Sequence, residues 1–360
     1  MKLALPLAAG LALLPGDTLR HAPASGSSVV RSFEVRWDMA LEDVQLAVMG
    51  QEIDLAMIGS PQVELDFRHA LRVHDTYRSV EEGRITKLER RFDELGAEMS
   101  FAIRTDMGEE DVPDMVYASE LEGRSVLFTW DESAESYSAA WADEQGGRSE
   151  LLEGLVASMD FEGLLPAQEV EPGDSWSFAP EALEVFGSPG GNTQVLPDEA
   201  DMGDLDLEVF EEMMAGFEEE MVEAFGELLE GELSATHAGA HEEHGEHVLV
   251  LTLAAETDGR FDFAPLIERL LQTLLEAEGV DPDEVDVTIS AAELELELEA
   301  EGELHWNTRA QRPEAARLDG EFLLGVAFGA SGEVEGDWGD VELQVEFGGS
   351  FSSACEVSAP

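Results

Sequence analysis

The chain has little positive charge and almost no lysine. Its 360 residues hold 19 Lys plus Arg against 81 Asp plus Glu, a formal net charge of −62. Lys2 and Lys87 are the only lysines, and no Lys or Arg occurs between Ser149 and Gly259. A field of that sign repels nucleic acid and anionic headgroups, because phosphate binding depends on Lys and Arg to neutralise it. Nucleic acid is therefore excluded as a partner, and cations are expected as counterions. The one Arg-rich stretch, Arg84 to Arg91, reads as a solvated strand edge. Acid excess with few lysines suits a chain living in salt, where screening relieves self-repulsion, and equally a GC-rich genome.

Cysteine is nearly absent. Cys355 stands alone, so no internal disulfide can form. It lies in the alternating run Phe351, Ser353, Cys355, Val357 and reads as a buried thiol. Long apolar runs are also missing. Leu3 to Leu14 is too short to span a bilayer, and no later stretch supplies a transmembrane segment. After the positive start Met1-Lys2, that run is broken by Pro15-Gly16 and followed by Ala22-Pro23-Ala24. The pattern predicts a signal peptide over 1–24, cleaved after Ala24, and export to the periplasm or beyond. No Cys follows the run, so a bacterial lipid anchor is excluded. Catalytic signatures are absent too: there is no Gly-x-Ser-x-Gly elbow, no phosphate loop and no dinucleotide fingerprint. The sequence therefore names no reaction.

What is present is order. Hydrophobic residues make up 44% of the chain, and they are periodic, which separates it from disordered acidic tails. Phe33, Val35, Trp37, Met39 and Leu41 alternate with polar residues; Val63 to Val73 do the same. Val126, Phe128 and Trp130, the turn at Asp131-Glu132-Ser133, then Tyr137, Ala139 and Trp141 predict a hairpin. Glu82-Gly83-Arg84 and Glu122-Gly123-Arg124 are turn signals. In the tail, Leu294 to Ala300, Leu318 to Phe328 and Val341 to Phe347 alternate, and a slip near Ala291-Ala292 predicts a bulge. Such half-wet strands favour antiparallel pairing.

Helical spacing appears in three places. Leu151, Leu152, Leu155, Val156 and Met159 suggest a short helix. Residues 204–230 carry a stripe of Phe210, Met213, Met214, Phe217, Met221, Val222 and Phe225 at three- and four-residue steps. A second stripe, Leu266 to Leu275, follows Pro265 and stops at Gly279. The expected class is thus α+β: a mainly antiparallel, curved sheet with two amphipathic helices on its apolar face. The expected organisation is an N-terminal β region over 25–186, a linker over 187–203 and a helix-containing C-terminal β region over 204–360. Whether both regions share one sheet is left open.

Two groups of residues could bind something. Phe210, Met213, Met214, Phe217 and Met221 could line a cavity for an apolar small molecule, since methionine adapts to irregular shapes; the plainer reading is core. His237, His241, His244 and His247 fall within eleven residues at an expected hairpin tip and could hold zinc or copper. A solvated turn is the plainer reading there, because no His-Glu-x-x-His pattern occurs. The acidic runs at Asp201 to Glu208 and Asp281 to Asp286 lack the EF-hand order.

Leu165-Pro166, Val170 and Pro172-Gly173-Asp174-Ser175-Trp176 resemble a loop of uncharacterised exported β-rich bacterial proteins of planctomycete type. Glu301-Gly-Glu-Leu-His-Trp-Asn307 also fits their second half. The resemblance implies location and fold and carries no activity. Together these readings point to a non-catalytic, exported binding or scaffold module of the cell envelope, with an apolar small molecule or an envelope protein as partner. A metal-binding protein using the His loop is the first alternative, and an enzyme with an unrecognised site is the second.

Overall fold

Strands that alternate over their whole length have one wet face and one face to bury, and this chain buries them in a single sheet. The computed structural model describes residues 19–53, 62–105, 108–111, 114–143, 146–197, 231–243, 246–264, 287–334 and 337–360. The strands are β1 (Ser28–Val48), β2 (Gln51–Ile53), β3 (Gln62–Glu81), β4 (Arg84–Thr105), β5 (Gly108–Asp111), β6 (Met115–Ala118), β7 (Ser125–Asp131) and β8 (Ser136–Trp141). They continue with β9 (Ser175–Ser177), β10 (Leu196–Pro197), β11 (Gly231–Glu243), β12 (Glu246–Asp262), β13 (Val287–Asn307), β14 (Arg312–Val334) and β15 (Asp337–Ser358). Strands of 20 to 23 residues are roughly 70 Å long at the usual rise.

The order across the sheet is β10-β6-β4-β3-β1-β15-β14-β13-β12-β11-β9, and the pairings are antiparallel. β1 pairs with β15 from Val30↔Ser358 to Val48↔Val341, so the first and last long strands are neighbours. The N-terminal and C-terminal β regions are therefore one sheet. Glu82 and Gly83 both take positive φ, 51° and 85°, as a two-residue hairpin turn demands. The β7/β8 hairpin forms as the sequence indicates. The register slips between Ile289 and Ala291, at the expected bulge.

The α+β expectation is overturned. The described residues are dominated by antiparallel strands, and their one α-helical element is the four-residue turn Glu184–Gly187. The strands run far past the stretches of clean alternation, because ladder hydrogen bonds carry pairing through mixed segments. The two stripes at 204–230 and 265–278 lie outside the described residues. The short helix expected at Leu151 to Met159 is a 3₁₀ turn over Glu150–Leu152, ending in an extended Glu153 and a Gly154 at φ 72°. Leu151 and Met159 still face the core, and Leu152 and Leu155 pack against it, but Val156 is turned out and 44% exposed.

Residues 146–197 form a second layer on one face of the sheet. Leu151, Met159, Phe161, Leu164, Leu183 and Phe186 are buried against strand residues from both halves of the chain. The Pro-Gly loop delivers Trp176 as expected: β9 pairs with the edge of β11, and Trp176 Nε1 donates to the Leu164 carbonyl at 3.0 Å. The expected linker is anchored in its described part, with Thr193 buried and its carbonyl accepting from the Ser119 hydroxyl.

The covered face is the concave one. The His21 ring lies 5.6 Å from that of Tyr77 on β3 and 6.4 Å from that of Trp306 on β13. Those strands are four places apart, roughly 19 Å on a flat sheet. Curvature brings them to one side chain. The sheet thus has a closed end, where β1 starts and the β3–β4 and β13–β14 turns lie, and an opposite end at Val48, Gln62, Thr105 and Val334.

Candidate functional site

Inside the closed end the sequence places charge where apolar residues would be expected. Arg31 on β1, Asp75 and Tyr77 on β3, and Arg90 on β4 all point inward and are at most 2% exposed. Asp75 and Arg90 are direct cross-strand partners. Arg90 grips Asp75 with two bonds, Nε to Oδ1 at 2.8 Å and Nη2 to Oδ2 at 3.1 Å, the geometry that makes such pairs strong. Arg31 donates to Oδ2 of the same carboxylate, an oxygen it shares with Arg90 Nη2, and, at 2.6 Å, to the Tyr77 hydroxyl. Arg90 also donates to the carbonyls of Val156 and Ala157 at 2.8 and 2.9 Å. His21 completes the chain, with Nδ1 2.7 Å from Asp160 and Nε2 3.3 Å from the Tyr77 hydroxyl.

Burial would raise the Asp75 carboxyl, but Arg90 and Arg31 outweigh it and hold it below its ordinary value. Asp160 is likewise opposed by burial and pulled well below its ordinary value by His21, Arg31 and the Glu162 amide. Burial pushes the nearby Cys355 thiol up to about 12, so it is no nucleophile. These groups are sealed from water and committed to one another. Their arrangement holds β1, β3, β4, the second layer and the N-terminal segment together; it offers no reachable acid, base or nucleophile.

Towards the other end the concave wall changes character. Trp37 stacks on Phe351 at 5.2 Å and meets Phe322 edge-on at 5.3 Å. Phe351 lies across from Gly320 and Phe322 across from Gly349. A Cβ at Gly349 would meet the Asp38 carbonyl at 2.3 Å and the Phe322 ring at 2.7 Å, so only glycine fits under that ring. Beyond this aromatic step, Met39, Leu65, Phe101, Leu296, Leu324 and Phe347 share one row or adjacent rows of the sheet and are only partly buried. The inward residues continue apolar to Val48 on β1, roughly 30 Å of wall. His69 and Ser353, buried beside the step, each keep a ring nitrogen or hydroxyl without a hydrogen-bond partner. Burial lowers the His69 pKa and favours its neutral form. The wall is therefore uncharged as well as apolar.

The convex face takes the acids. On β13, Glu293, Glu295, Glu297, Glu299, Glu301 and Glu303 alternate with the inward apolar positions. An acidic cleft of about 650 Å³ crosses β1, β3 and β15, with Asp38, Glu42, Glu64, Asp66 and Glu321 among its lining residues. Asp38 faces Asp66 across the ladder. Its carboxyl is raised by the hydrogen bond to Asp66, then by burial and the neighbouring negative charge. Arg36 pairs with Glu34 and Arg68 with Asp66 at the rim.

The residues singled out from sequence fare unequally. Phe210, Met213, Met214, Phe217 and Met221 lie outside the described residues. The His-rich stretch does span the β11/β12 hairpin. His237 is buried in β11 opposite Leu251, and its backbone pairs with Gly173 and Asp174 of the Pro-Gly loop. His241 pairs with Val248 and His247 with Glu242 along the backbone, and His244 lies outside the described residues. His237 and His241 are four residues and a bulge apart, roughly 13 Å along the strand. Among the described residues no group of three or more His, Cys, Asp or Glu is arranged to hold a metal ion. The ionic chain at the closed end escaped the sequence reading. Its signal was present: Arg31, Asp75 and Arg90 each occupy an inward place in an alternating run.

No family model matches the chain, and no curated protein matches it. Among solved structures, the COG4313 outer membrane channel from Pseudomonas putida F1 aligns over 96% of this chain and 100% of its own, at 7% identity and a TM-score of 0.19. A likeness at that level bears on neither fold nor function. Among the described residues no helix is long and apolar enough to cross a membrane.

Proposed function

We propose that this chain is an exported, non-catalytic binding module of the cell envelope that holds an elongated, uncharged apolar molecule against the concave wall beyond the aromatic step. The observation that carries the reading is the continuation of the inward apolar rows, from Trp37 through Met39, Leu65, Phe101, Leu324 and Phe347, past the reach of the second layer among the described residues. A sheet needing only its own core would become polar on both faces there. The acidic convex face supports a protein in water rather than in lipid, since a membrane-spanning barrel turns an apolar band outward. The same acids favour a neutral or cationic ligand over an anionic one.

Titration with an uncharged naphthylamine probe, read by fluorescence, tests this. Saturable binding should be displaced by neutral lipids and lost in Leu324→Glu plus Phe347→Glu, with melting retained. Binding that survives both substitutions would remove the concave wall as the site. Native mass spectrometry of protein from its host envelope fraction should show an added mass that denaturation releases.

A further inference from the structure

The segment Leu19–Ala24, ahead of the first strand, lies across the closed end of the concave face. Leu19 is 7% exposed and belongs to the main core; His21 is 4% exposed. The His21 ring is held by the Asp160 carboxylate on one nitrogen, by the Tyr77 hydroxyl on the other, and edge-on by the rings of Tyr77 and Trp306. The backbone is tied as well. Ala22 N–H donates to the Gln311 carbonyl at 3.1 Å, in the β13–β14 turn. Both the amide and the hydroxyl of Ser27 donate to the Ala24 carbonyl, and Gly26 N–H donates to Tyr77.

Asp160 is faced by His21, by Arg31, by the Ser158 hydroxyl and by the Glu162 amide. Arg31 already serves Asp75 and Tyr77. A chain beginning at Ser25 would therefore bury the Asp160 carboxylate without its direct partner and leave a void between two aromatic rings. Both changes are strongly destabilising in a packed interior.

We infer that Leu19–Ala24 is retained in the mature protein as an internal clasp, and that export cleavage falls before Leu19 rather than at Ala22-Pro23-Ala24. The existence of a cleavage rests on the export reading above; the clasp does not.

The test is intact mass and N-terminal sequencing of the full-length gene product recovered from its host. A first residue at or before Leu19 is expected; a first residue of Ser25 overturns the inference. An uncut Met1 would keep the clasp and remove export from the proposed function, so the two fail separately. In the full chain, His21→Ala and Asp160→Asn should each lower the melting temperature by several degrees. The double variant should melt no lower than the weaker single variant, and Arg20→Ala should melt like the parent. Unchanged melting of His21→Ala would overturn the clasp whatever the terminus.

Discussion

Over its first eight residues β1 buries Val29, Arg31, Phe33 and Val35 almost completely; further along, Met39, Leu41, Val44 and Leu46 of the same strand are only partly covered. Alternation resumes after a one-residue bulge between Leu41 and Asp43, and the residue types are as apolar at the second end as at the first. The difference is the second layer. At the closed end, residues 146–197 and Leu19–Ala24 lie on the concave face and exclude water, so even two arginines are desolvated there and must be paired. At the other end no described segment plays that part, and the described inward residues of the wall carry no charge. Burying a charge is costly unless it is paired and hydrogen-bonded. The closed end meets that condition with a chain of ionic contacts, and the open end avoids it with hydrocarbon.

That contrast can be broken by mutation. The largest effect is expected at Asp75. Asp75→Asn leaves Arg31 and Arg90 buried beside a neutral amide and should cost about 3–5 kcal/mol, read as a drop in the urea midpoint. Phe92, fully buried at the closed end, should cost about 3–5 kcal/mol when cut to Ala. Phe347→Ala, on the open wall, should cost well under half as much. Equal losses at both positions would mean that the open wall is packed like the closed one. Gly349→Ala should cost about 1–3 kcal/mol, because its new methyl group meets backbone and ring.

Acid should weaken the closed end once the pH reaches the ordinary carboxyl range. Asp75 and Asp160 have lowered folded pKa values. Their contribution is present above the ordinary carboxyl value, about 4, and is lost as pH falls through the folded values. Thermal melts should therefore decline below about pH 5, and Asp160→Asn should flatten that decline. The smallest effect belongs to the convex surface. Arg317 pairs with Asp319 in the open, and Arg317→Ala should leave the melting temperature essentially unchanged. Collectively the surface acids repel one another, so added salt should raise the melting temperature. A flat response would mean that the acids are already well dispersed.

Much of the sheet was readable because period two is a local property. Phe33 to Met39, Leu318 to Phe328 and the β7/β8 hairpin fall where alternation puts them, and the bulge follows from the change of parity at Ala291-Ala292. Strand ends were not readable, since a ladder extends wherever its neighbour continues. The helix expected at Leu151 failed for a related reason. Spacing of three and four suggests which residues face the core, and a 3₁₀ turn followed by a left-handed glycine brings four of the five there while leaving Val156 exposed. The ionic chain stayed hidden because an arginine in an alternating run looks like a residue on the wrong face until its partner is known.

The sequence by itself determined the sign of the surface, the lack of any disulfide and the alternating character of the strands, because each depends on residue type or on neighbours one or two places away. The tertiary structure alone decided that β1 lies beside β15, that residues 146–197 fold back onto the concave face, and that His21 reaches Asp160. Those contacts join residues as far apart as Val30 and Ser358, and no local preference records which of many alternating strands will be a given strand's neighbour.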